Sequence, residues 1–131
     1  MKTSVTVPRE APEPPWKRLD RLLLSRQKEI LRREEVDDGL IHIYDCGDFV
    51  AFERSACQFH RMFPDADLTV LNLRSYPFPV IMLSVRPEEF RLWSREHIVT
   101  GNGSDLTVEP SSPLSLDAYS RWHRDAVEGN L

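Results

Sequence analysis

Six consecutive residues, Val80-Ile81-Met82-Leu83-Ser84-Val85, constrain this chain more than any other stretch. Their nearly unbroken apolar character lacks the alternation of a half-solvated strand and is the signature of a strand buried on both faces. The surrounding periodicities supply helices to do the covering. Trp16, Leu19, Leu22, Leu23, Ile30 and Leu31 recur at helical spacing up to about Glu34, with charged residues between them. Pro15 stands just ahead of that helix, where proline is favoured.

After an Asp37-Asp38-Gly39 turn, Leu40 to Tyr44 alternates as a strand. Phe52, Ala56, Phe59 and Phe63 then stripe one face of a helix over Phe52–Phe63, stopped by Pro64-Asp65. Asp67 to Arg74 alternates again, and the buried run follows it. Pro87 with Glu88 and Glu89 opens a third helix, since acids suit a helix N-terminus. His97–Thr100 and Leu106–Val108 flank Gly101-Asn102-Gly103-Ser104, a hairpin signal. Ser115 caps a last helix carrying Leu116, Tyr119, Trp122 and Val127. The order α-β-α-β-β-α-β-β-α predicts an α/β fold, a mixed β-sheet flanked by helices.

A length of 131 residues predicts one domain, over residues 16–131. Residues 1–15 hold Pro8, Pro12, Pro14 and Pro15 and read as an extended, disordered leader. The net charge of −4 argues against a broadly electrostatic nucleic-acid binder. Cys46 and Cys57 are too few for a disulfide framework, which with no signal-like apolar run predicts a cytoplasmic protein with reduced thiols. No stretch approaches the roughly 18 apolar residues of a membrane span, so no membrane partner is expected.

The stretch most suggestive of function follows the first strand. Asp45-Cys46-Gly47-Asp48 is an acidic turn, and Phe49 comes immediately after it. Gly47 admits backbone conformations closed to other residues, and a large aromatic just beyond it is either a core plug or a presented contact. Together with the element order, Gly47-Asp48-Phe49 resembles the N-terminal mismatch-recognition domain of the MutS DNA-repair family, over about Trp16 to Val99. The resemblance implies a nucleic-acid-binding site at Gly47, Asp48 and Phe49, with Phe49 as the wedge stacking on an unpaired base of double-stranded DNA. Ala51 stands where that family carries the glutamate that reads the mispaired base. Phe78-Pro79-Val80-Ile81-Met82 only faintly echoes a further family segment, and no phosphate-binding loop of an ATPase is present.

Other constellations compete with this reading. His42, His60, His97 and His123 lie in different elements and lack the paired spacing of a zinc site. Asp45, Asp48 and Glu53 could hold a divalent metal for phosphodiester hydrolysis, or simply stabilise a turn. Cys46 has no nearby base to make it a nucleophile. Lys17, Arg18, Arg21, Arg26, Lys28, Arg32 and Arg33 bias the first helix positive, as a phosphate face or a solvated one. The sequence therefore predicts a non-catalytic binding module without cofactor or metal. Its partner is DNA at the aromatic turn or, alternatively, a protein anchored by Trp93, Tyr119 or Trp122.

Overall fold

A computed structural model describes residues 13–131, so the expected leader lies outside the described residues from Met1 to Pro12. The elements run α1 (Pro15–Glu35), β1 (Ile41–Cys46), β2 (Asp48–Phe52), α2 (Glu53–Met62), β3 (Asp67–Leu71), β4 (Val80–Val85), α3 (Pro87–Ser94), β5 (Val99–Asn102), β6 (Asp105–Val108) and α4 (Leu116–Glu128). The strands form one sheet in the order β3-β4-β2-β1-β6-β5. The α/β class is the expected one. Its pairing is narrower than a mixed sheet, antiparallel throughout, because β1–β2, β3–β4 and β5–β6 are consecutive pairs and β4 inserts between β2 and β3.

Both faces of the sheet are covered. On one, Ile41, Ile43, Phe49, Ala51, Leu83 and Val85 pack against Ala56 and Phe59 of α2 and Phe90 of α3. On the other, Tyr44, Cys46, Val50, Phe52, Val80 and Met82 pack against Ile30 and Leu31 of α1. Alternate residues of β4 thus face opposite helical layers, which is why its sequence is apolar without interruption.

The structure corrects the expectation around Gly47. In place of a turn running straight into a helix, Asp48–Phe52 forms a strand paired with β1, Tyr44 opposite Val50 and Cys46 opposite Asp48. Gly47 makes this possible at φ +98°, a region that side chains rarely enter. Being central and doubly buried, β2 shows no alternation, and Phe52 fits the helical stripe although it belongs to the strand. The strand expected over Asp67–Arg74 ends at Leu71, and Leu73 O then accepts Tyr76 N–H in a turn at 3.3 Å.

A buried carboxyl ties the layers together. Glu34, 6% exposed near the end of α1, accepts the Ser55 backbone N–H at 2.8 Å and the Ser55 hydroxyl at 2.7 Å. The Ser55 hydroxyl oxygen accepts the His42 N–H at 2.8 Å. One side chain therefore joins α1, the first turn of α2 and β1, satisfying an orphan helix N–H from another element. Burial pushes the Glu34 carboxyl up from its ordinary 4.5 to about 7.

Because the folded state holds this proton more tightly than the unfolded chain, the associated stability is fully present below pH 4.5 and lost as pH rises through about 7. The difference corresponds to about 3 kcal/mol. Thermal unfolding followed across that window should show a falling Tm in the wild type and a flatter profile in Glu34→Gln. Parallel profiles for the two proteins would refute the assignment.

Candidate interaction groove

Phe49 faces the interior. It is 7% exposed and stacks on Phe90 of α3 with centroids 4.2 Å apart, in the same cluster as Phe59. Of the two readings of Phe49, its position is that of a core plug and not of a presented contact, because the five-residue strand aims it at the layer formed by α2 and α3. Gly47 and Asp48 stay at the turn, where Asp45 Oδ1 accepts the Gly47 N–H at 3.0 Å. The start of α1 seals this turn: a Cβ on Gly47 would lie 3.2 Å from Pro15 Cγ, and Arg18 donates to the Asp45 carbonyl at 3.3 Å.

The remaining sequence candidates are dispersed. Glu53 lies at the opposite end of β2 from Asp48, about 16 Å away by strand rise. Its carboxylate accepts Ile81 N–H at 2.8 Å rather than joining Asp45. The histidines stay apart, and among the described residues no three His, Cys, Asp or Glu side chains converge as metal ligands. Cys46 and Cys57 are free and buried, and burial pushes both thiols up to about 11, away from the thiolate a nucleophile needs. Trp93, Tyr119 and Trp122 are half-buried; Trp93 stacks on His97 at 3.9 Å and Trp122 donates to His60 Nδ1 at 3.1 Å.

The positive bias of α1 divides into two populations. Arg26 forms paired contacts to Asp105 at 2.7 and 2.6 Å and to Glu29 at 2.8 Å. Arg33 bonds the Tyr44 hydroxyl at 2.9 Å and Glu29 at 2.8 Å. Arg18 lies against Asp45, and Arg21 pairs with Glu13. These guanidinium groups attach α1 to its surroundings; the Arg26 contact also holds the Asp105 carboxyl below its usual range. Lys28, Arg32 and Arg74 form no ion pair among the described residues.

Those three cations line one groove of about 700 Å³ between α1 and the connection from β3 to β4. Its apolar surface comes from Leu23, Leu24 and Tyr76, Leu24 being 83% exposed. Two backbone irregularities shape it. Arg26 leaves helical geometry at φ −133°, next to Ser25, whose hydroxyl donates to the Arg21 carbonyl at 2.8 Å and bends the helix. Opposite, Ser75 adopts φ +64°, and Gln27 donates to the Arg74 carbonyl at 2.9 Å, holding the connection against α1. Glu29 in the groove is taken by Arg26 and Arg33, leaving Glu35 as the one carboxylate there without an ion pair among the described residues. The groove is thus cationic and partly apolar in a chain of net charge −4.

No protein-family model, curated protein or solved structure matches this chain. Sequence reading placed Lys28 and Arg32 on a positively biased first helix but did not set them beside Arg74, which is remote in sequence. Only the contrast between paired and unpaired arginines reveals the groove, and the pairing partner of Arg26 is 79 residues away.

A core role for Phe49 has a measurable consequence. Phe49→Ala should lower unfolding free energy by about 3–5 kcal/mol, the cost of emptying an aromatic core site. Urea denaturation tests this, and a loss below about 1 kcal/mol, ordinary for a surface position, would return Phe49 to the surface.

Proposed function

We propose that this chain is a non-catalytic binding module that holds an acidic, partly apolar segment of a protein partner in the groove between α1 and the β3–β4 connection. The observation carrying the proposal is the set of unpaired cations, Lys28, Arg32 and Arg74, beside exposed Leu24. Charge complementarity steers and registers such a partner, while apolar side chains between its acids find Leu23, Leu24 and Tyr76.

A protein segment fits better than a duplex for two reasons. Phosphate binding scales with the number of phosphates neutralised, and Arg18, Arg21, Arg26 and Arg33 are already engaged by protein oxygens. Phe49 would also have to leave its stack with Phe90 to wedge between bases. The DNA role implied by the MutS resemblance therefore stands as the competing outcome of the same experiment.

Fluorescence polarisation of a labelled peptide of four Leu-Glu-Glu repeats provides that experiment, with a mixed-sequence duplex as competitor. Saturable, salt-sensitive binding is expected, weakened at least about tenfold, or about 1.4 kcal/mol, in the double variant Lys28→Glu/Arg32→Glu. Undiminished binding by that variant, or a duplex that outcompetes the peptide, would overturn the proposal.

A further inference from the structure

Glu53 and Ser75 are the non-glycine residues with positive φ among the described residues, and Glu53, at φ +53°, opens α2. Such backbone persists only where its surroundings over-determine it, and it gathers at functional sites. Here it turns the Glu53 side chain away from its own helix. Oε1 accepts Ile81 N–H at 2.8 Å and meets His123 Nε2 of α4 at 3.0 Å. Burial raises the Glu53 carboxyl, and its partners oppose that rise.

This pair lies in a second cleft, of about 490 Å³, between α4 and the end of the β3–β4 connection. One wall is apolar: Phe78 is 64% exposed, with Pro79 and Val127 beside it. The polar groups differ in whether they are satisfied. Glu53 already has its contacts, and Glu128 accepts the Asn130 amide at 3.3 Å. His123 Nδ1 and the Arg124 guanidinium have no protein partner among the described residues. With Nε2 directed at Glu53, Nδ1 is the unengaged nitrogen of the imidazole, and the Arg124 guanidinium is the unengaged cationic donor. A guanidinium without an acceptor beside an exposed aromatic defines the missing group as an anionic acceptor attached to an apolar body.

We propose that the cleft between α4 and the β3–β4 connection binds an apolar carboxylate, its charge on Arg124 beside the His123 ring and its hydrocarbon against Phe78 and Val127. The same chemistry is offered by a free aryl acid and by the C-terminal residue of a peptide. Glu128 also lines the cleft and forms no ion pair among the described residues, so a cation held on that carboxylate is the competing outcome, which the amine probe tests.

Heteronuclear NMR titration of the full chain tests this with phenylacetate, phenylacetamide and phenethylamine, and with Gly-Gly-Phe bearing a free or an amidated C-terminus. Phenylacetate should shift the His123 ring and α4 amide signals with a dissociation constant of about a millimolar, as suits so small a probe. The amide should bind at least about tenfold more weakly, a loss equal to that of one charged contact, and the amine not at all. Tighter binding of free than amidated Gly-Gly-Phe would identify a chain terminus as the better source of the carboxylate; equal binding restricts the site to free acids. Phe78→Ala and Arg124→Gln, both at exposed positions, should each weaken phenylacetate several-fold with unchanged circular dichroism. No saturable shift with any carboxylate, or preference for the amine, would overturn the proposal.

Discussion

The fold depends on the reversal at Gly47. A single residue at φ +98° returns the chain from β1 directly into β2 and makes these two strands the centre of the sheet. Three consequences follow. Phe49 points inward onto Phe90, β2 becomes buried on both faces, and α2 begins at the far end of β2, beside Glu34. The packing of Pro15 and Arg18 over the turn links the start of α1 to the same point. A side chain here would face both an unfavourable backbone region and the ring of Pro15.

Much of the architecture was legible because it rests on local physics. The unbroken apolar run of β4 announced a doubly covered strand, and Ser115 announced α4, accepting Ala118 N–H at 3.1 Å. The stripe of α1 was equally plain. What was not legible was β2. Asp48-Phe49-Val50-Ala51-Phe52 carries neither strand alternation nor a conventional two-residue hairpin turn, and Phe52 falls in phase with the helix that follows. Its identity as a strand is decided by partners, β1 on one side and β4 on the other, which no local pattern contains.

The candidate site was less legible still, for a related reason. The sequence presents seven cations along the first helix as equivalents. Tertiary structure separates them, assigning Arg26 and Arg33 to Asp105 and Glu29 and leaving Lys28 and Arg32 beside Arg74. Glu53 changed meaning in the same way. Grouped by proximity with Asp45 and Asp48, it suggested metal chemistry, yet its left-handed backbone directs it to Ile81 and His123. Both features flank the connection from β3 to β4.

The proposed recognition at the α1 groove and an architectural Gly47-Phe49 turn make opposite demands on the same experiment. Mapping amide shifts of the isotopically labelled protein on addition of an acidic Leu-Glu-Glu peptide addresses both at once. Perturbations are expected to centre on Leu24, Lys28, Arg32, Arg74 and Ser75, with Gly47 and Asp48 unmoved. Perturbations centred on Gly47, Asp48 and Phe49 instead would contradict the proposal and restore the aromatic turn as the binding surface.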